Sequence, residues 1–210
     1  MERLKGKTLV AIGDSLIYGG RLGNEATWVN KLSRYGMKTY NYGINGNTLA
    51  VSEKCGSTPM CVRYAEMEDD ADYVVVLGGA NDRNYAVPIG EVDSTDPHTF
   101  CGAVRQLILG LSEKYPHARI LFMTNYHRWD EHNALGLHEI DYIRAMEDVC
   151  RIYSIPCFNN YKDLGLSFFL PAQNAWIDEG CVNGGKPNRH FSEEAYEWML
   201  PKYAALLNAL

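Results

Sequence analysis

The segment Thr8-Leu9-Val10-Ala11-Ile12-Gly13-Asp14-Ser15-Leu16 runs an apolar strand straight into a glycine turn that presents one serine. A hydroxyl at the end of a buried strand suits a covalent nucleophile. The sheet fixes its position, and nearby backbone amides can meet developing negative charge. Asp14 and Ser15 also read as ordinary turn and cap residues of a βα loop. An acyl-transfer serine further needs a base for its proton and donors for a tetrahedral oxyanion. Asn41-Tyr42-Gly43-Ile44-Asn45-Gly46 offers the N–H of Gly43 directly after a second strand-like run, with a plain Asn-Gly turn as the alternative. Gly78-Gly79-Ala80-Asn81-Asp82 follows a valine-rich run and offers the neutral side-chain amide of Asn81, with a helix cap as the alternative. His190 precedes Phe191-Ser192-Glu193-Glu194, where Ser192 fits the cap of a final helix, and imidazole suits proton transfer near neutral pH. His127, His132 and His138, spaced five and six apart with no cysteine nearby, make a poor zinc pattern.

These residues need a scaffold that brings them together. Strand-like runs over 8–14, 38–42, 73–77, 119–124 and 155–158 alternate with helical spacing near 27–35, 99–114, 138–153 and 192–207. One or two helical turns are expected around 62–67, and Asp96-Pro97 reads as the start of the helix that follows. Alternation of this kind predicts a parallel sheet covered on both faces, and 210 residues fit one domain over 1–210. The candidate residues fall in loops at the carboxyl ends of the strands, where open α/β sheets bind ligands.

The bulk properties narrow the partners. A net charge of −6 and a pI near 5.5 argue against nucleic acid or an anionic membrane surface. No run reaches about 18 consecutive apolar residues, so no membrane span is expected. The charged start Met1-Glu2-Arg3-Leu4-Lys5-Gly6-Lys7 lacks a signal-peptide core, which predicts a cytoplasmic location. Reduced thiols are then expected at cysteines 55, 61, 101, 150, 157 and 181. Cys101, Cys150 and Cys157 fit as small core residues, whereas Cys55 and Cys61 flank a short loop and could pair under oxidising conditions. Tyr18, Trp28, Tyr85, Tyr126, Trp129 and Trp176 are candidates to line the mouth of the site and cover a sugar ring.

Taken together, the Gly-Asp-Ser-Leu turn, the Asn-x-Gly-x-x-Gly loop, Gly-x-Asn-Asp after the third strand and a late histidine resemble the SGNH, or GDSL-type, hydrolases. The motifs are short, but they stand in that family's order across nearly the whole chain. The resemblance implies a flavodoxin-like three-layer α/β/α sandwich with a five-stranded parallel sheet. It implies hydrolysis of esters or thioesters of lipids, acylated sugars or small acyl compounds, without metal or organic cofactor. Ser15 would be the nucleophile and His190 the general base. The Ser15 N–H, the Gly43 N–H and the Asn81 amide would form the oxyanion hole.

One position departs from the pattern. The family's orienting aspartate stands three residues before the histidine, where this chain has Pro187. Asp178 is the preferred replacement because a carboxylate best stabilises an imidazolium. Glu179, Asn188 or a backbone carbonyl are the alternatives. The turn at Ser15 also lacks the second glycine of a Gly-x-Ser-x-Gly elbow, which argues against an α/β-hydrolase. No Gly-x-Gly-x-x-Gly or Walker loop follows the first strand, which disfavours a flavodoxin-like nucleotide binder. The leading expectation is an ester hydrolase with a covalent acyl-Ser15 intermediate, acting on a small acyl ester or an acetylated carbohydrate. The alternative is a non-catalytic carbohydrate or small-ester binding module on the same scaffold. Homo-oligomerisation stays open.

Overall fold

The computed structural model describes residues 2–127, 132–167, 169–177, 182–183, 186–187 and 190–210. Strand β1 (Thr8–Gly13) feeds the four-residue helix α1 (Ser15–Tyr18), and α2 (Trp28–Lys31) continues as a 3-10 turn before β2 (Lys38–Gly43). Helix α3 (Met60–Arg63), β3 (Tyr73–Leu77) and α4 (Ala80–Asn84) follow, then α5 (Phe100–Lys114), β4 (Arg119–Met123) and α6 (Glu139–Ile152). Strand β5 (Cys157–Phe158), α7 (Asn160–Asp163), the antiparallel pair β6 (Val182–Asn183) and β7 (Lys186–Pro187), and α8 (Glu193–Ala209) complete the order.

Five strands make one parallel sheet in the order β2-β1-β3-β4-β5. Side chains alternate faces along a strand, so a central strand needs apolar residues at every position. Leu9, Ala11, Val75 and Leu121 pack against Trp28 of α2 and Tyr203 of α8. Val10, Ile12, Val74, Val76 and Phe122 pack against α5 and α6 on the other face. The result is the three-layer α/β/α arrangement expected from the alternating pattern.

Some local readings change. Helix α5 does not start at Asp96-Pro97. Thr99 is its cap, with Oγ1 accepting from Gly102 N at 3.2 Å, while Asp96 closes the preceding turn by accepting from Thr99 N and His98 N. Strand β5 is two residues long, shorter than its apolar run. Trp28 and Tyr126 are core residues rather than mouth aromatics. Trp28 stacks on Tyr203 at 4.7 Å and Tyr126 on Phe191 at 4.4 Å. Cys101 and Cys150 are buried, and Cys55 and Cys61 are free thiols. No helix among the described residues is long and apolar enough to cross a membrane.

Candidate active site

Register sets the site. Gly13 pairs with Gly43 on one side and Leu77 on the other, Leu77 with Met123, and Met123 with Phe158, so all five strands end on one line. Ser15, Gly46, Asn81 and Asn125 each follow one of those ends within a few residues. The sheet order reverses between β1 and β3, the switch point at which open α/β sheets form their crevice. A cleft of about 310 Å³ opens there, lined by Ser15, Gly46, Asn81, Asn125 and His190 among others. That volume suits a small ligand.

Ser15 begins α1, held by its neighbour. Asp14 is fully buried and caps the helix, with Oδ1 accepting from Leu16 N at 2.9 Å. The turn closes tightly behind it, as Gly19 N and Gly20 N both donate to the Ser15 carbonyl at 2.8 and 2.9 Å. Gly20 makes room for His190. A Cβ built there would lie 2.8 Å from His190 Cγ, so the imidazole rests on bare backbone next to the helix that Ser15 begins. His190 is set from its other side by the cap of α8. Ser192 Oγ accepts from Ala195 N at 3.2 Å, Ser192 N donates to Trp176 O at 2.8 Å, and Phe191 bridges Ile177 in antiparallel fashion. Ser15 and His190 share the cleft without a direct hydrogen bond between them. Such contacts commonly tighten only when substrate binds.

The oxyanion donors fall differently from the sequence reading. The Gly43 N–H does not face the cleft as an open donor; it donates to Asn41 Oδ1 at 2.9 Å. A Cβ at Gly43 would lie 2.2 Å from Tyr18 N, so this glycine serves close packing of β2 against α1. Asn41 completes that clamp by donating from Nδ2 to the Ile17 carbonyl at 2.7 Å. Gly46, three residues on, lines the cleft instead. The backbone N–H groups of Ser15 and Gly46 have no hydrogen-bond partner among the described residues. Asn81 Nδ2 donates to the Asn47 carbonyl at 2.9 Å, and its second contact, to Asp14 Oδ2, is stretched to 3.5 Å. That geometry leaves one amide hydrogen available to a substrate oxygen.

A buried polar layer holds these loops. Arg63, 5% exposed, donates from Nη2 to the Gly13 carbonyl at 2.9 Å and from Nε to Asn47 Oδ1 at 2.8 Å. It thus ties the end of β1 to the loop that anchors Asn81. Burial pulls its guanidinium down to about 10, against the nearby charges of Cys55, Glu66 and Asp14. Asp82 grips the far end of the same loop, accepting from Leu49 N at 3.0 Å and Ala50 N at 2.9 Å. Burial pushes its carboxyl up to about 6, and those backbone donors oppose the rise. The second residue of the Asn81-Asp82 pair is therefore a loop anchor.

Asp178, Glu179, Asn188 and Trp129 lie outside the described residues. Sequence reasoning missed Gly46, Arg63 and Asn125. Gly46 was visible as the second glycine of its loop, and Asn125 as a polar residue just past a strand end.

The model of the GDSL-like Lipase/Acylhydrolase family matches residues 11–198. One solved structure is 34% identical, with a TM-score of 0.90 over 99% of this chain and 98% of that one. A protein from Lactobacillus plantarum is 27% identical, with a TM-score of 0.81 over 98% of each chain. A carbohydrate acetylesterase family member from Sinorhizobium meliloti shares 16% identity, with a TM-score of 0.64 over 96% of this chain and 99% of that one. No curated protein sequence matches the chain.

Proposed function

The chain belongs to the GDSL-like lipase/acylhydrolase family, and from that premise we propose that it is a serine ester hydrolase for small or carbohydrate-linked acyl esters, acetyl esters foremost. Ser15 Oγ attacks the ester carbonyl carbon while His190 takes the hydroxyl proton. The oxyanion so formed accepts from the Ser15 N–H, the Asn81 amide and, in place of Gly43, the Gly46 N–H. Collapse expels the alcohol with the proton from His190 and leaves an acyl-Ser15. Water then attacks that acyl group, His190 takes its proton, and carboxylic acid is released as Ser15 regains the hydrogen.

The observation that carries this reading is one cleft lined by Ser15, Asn81 and His190, where the Ser15 and Gly46 N–H groups have no partner among the described residues. Its described lining is asparagine-rich, with Asn45, Asn81, Asn84 and Asn125. That polarity favours a polar alcohol over a long lipid chain. Asp178 is kept as the orienting acid. Its chain neighbour Ile177 bridges Phe191, the chain neighbour of His190. The S. meliloti protein is a carbohydrate acetylesterase family member, which agrees with the substrate class.

The test is covalent. A fluorophosphonate is expected to label Ser15, located by peptide mapping, and p-nitrophenyl acetate to give a burst of nitrophenol. Ser15→Ala is expected to abolish both. Turnover retained in that variant, or a label mapped elsewhere, overturns the reading. Ligand binding without labelling or turnover favours the non-catalytic module.

A further inference from the structure

Asn125 stands two residues past the end of β4, on the wall of the cleft, and is 1% exposed. Its side chain is held in one orientation. Nδ2 donates to Glu139 Oε1 at 2.9 Å, and Glu139 is itself 1% exposed. A carboxylate oxygen accepts and cannot donate, so the amide cannot flip without breaking that bond. Oδ1 is thereby the free end. It is buried and has no hydrogen-bond partner among the described residues. Of the buried side-chain atoms in that condition, it belongs to the only residue that lines the cleft. A buried acceptor without a donor is costly, so an orphan of this kind calls for a functional account.

Water from behind does not supply the donor. Asn125 and Glu139 also border a small void beside Phe100 and Tyr142, and that void has no room for a water molecule. Of the two spaces that Asn125 borders, the cleft is the one with room for a donor group, and Ser15 and His190 also line it.

We propose that Asn125, with its amide nitrogen fixed by Glu139, is the acceptor that selects esters whose alcohol portion carries a free hydroxyl. The inference rests on the hydrolytic reading of the same cleft and narrows it to partly acylated polyols and sugars. A site built to bond a substrate hydroxyl rejects the analogue lacking it, because the protein acceptor is then left unpaired.

The experiment compares 2-hydroxyethyl acetate with 2-methoxyethyl acetate, and ethyl glycolate with ethyl methoxyacetate, which move the hydroxyl from the alcohol to the acyl side. Wild-type kcat/KM is expected to favour 2-hydroxyethyl acetate over its methyl ether by about 10- to 100-fold, with a smaller preference in the acyl pair. Asn125→Leu is expected to erase the alcohol-side preference. Glu139→Gln keeps Asn125 but lets its amide flip, so it is expected to weaken the preference several-fold while p-nitrophenyl acetate turnover persists. A wild-type preference below twofold, one confined to the acyl pair, or one intact in folded Asn125→Leu overturns the proposal. Binding of the same esters to Ser15→Ala, followed by calorimetry, separates the two readings. Discrimination in binding with no wild-type turnover of any ester sinks the hydrolytic reading and leaves recognition by Asn125 standing. Turnover without discrimination does the reverse.

Discussion

Removing the Asn81 side-chain amide takes one donor from the proposed oxyanion site and leaves its strand and helix in place. Asn81→Ala is therefore expected to lower kcat for p-nitrophenyl acetate about 100-fold with KM nearly unchanged, because the lost contact strengthens only in the transition state. A kcat within twofold of wild type would remove Asn81 from the reaction. Gly43→Ala makes the opposite prediction. Its Cβ would sit 2.2 Å from Tyr18 N, a backbone atom that cannot yield, so the cost falls on stability, about 3 kcal/mol in a urea titration. The surviving folded protein should keep its kcat. Asp178→Asn is expected to lower kcat about 100-fold or more without changing fluorophosphonate site selectivity. Full activity in that variant would pass the orienting role to Glu179, Asn188 or a carbonyl. At this scale the sequence was legible in position, since Ser15 and His190 line one cleft. It could not distinguish Gly43 from Gly46, because both follow the same strand. What separates them is the Asn41 side chain folding back onto Gly43 N, a contact invisible in spacing.

Elements near the site are joined by charge as well as by apolar packing. Lys31 of α2, 6% exposed, places Nζ 2.9 Å from Glu193 Oε1 and 2.6 Å from Glu197 Oε1, both on α8. Arg34 adds a two-pronged contact to Glu197 at 2.7 and 2.8 Å. Helix α8 is entered directly from His190 through the Ser192 cap, so this network steadies the element behind His190. The Arg34 hydrogen bond first, and Lys31 next, hold the Glu197 carboxyl down to about 2 from an ordinary 4.5. A depressed carboxyl stabilises the fold above its ordinary value and loses that contribution as pH falls from about 4.5 toward 2. Glu197 is partly exposed and screened, so Glu197→Gln is expected to cost only about 1 kcal/mol at pH 7. The gap should narrow in high salt and shrink again by pH 3, as read from urea midpoints; a pH-independent gap would assign the effect to packing. The strands were legible because β-branched, apolar runs of this length bounded by Asp and Gly fit few other elements, and β3 falls on residues 73–77 as read. The helix read over 99–114 is found over 100–114, but its start signal was misread. Both Asp96-Pro97 and Thr99 fit a cap, and only the Thr99 contact to Gly102 N decides between them.

Across the whole molecule, stability and chemistry occupy different levels of one sheet. Strand β3 is buried at all five positions and paired along its length to β1 and β4, so its amides open only with the entire fold. Edge strand β2 is largely half-exposed and paired on one side alone, and the loops beyond the strand ends carry the cleft. Hydrogen exchange should therefore be slowest in Val74–Leu77, faster in β2 and fastest in the mouth loops. This ordering lets the site adjust without unfolding what positions it. A fluorophosphonate adduct on Ser15 supplies a tetrahedral phosphorus whose phosphonyl oxygen stands in for the reaction's oxyanion. It is expected to slow exchange at Gly46 and in the 44–50 loop, because the phosphonyl oxygen accepts from that N–H and draws Asn81 and Asn47 with it. Exchange in β3 should rise in protection only by the global gain in stability from the adduct. Slowing confined to Gly43, with Gly46 unchanged, would return the donor role to the residue that spacing alone suggested. Slowing spread evenly over β2 and β3 would mean that the cleft and the sheet open as one unit.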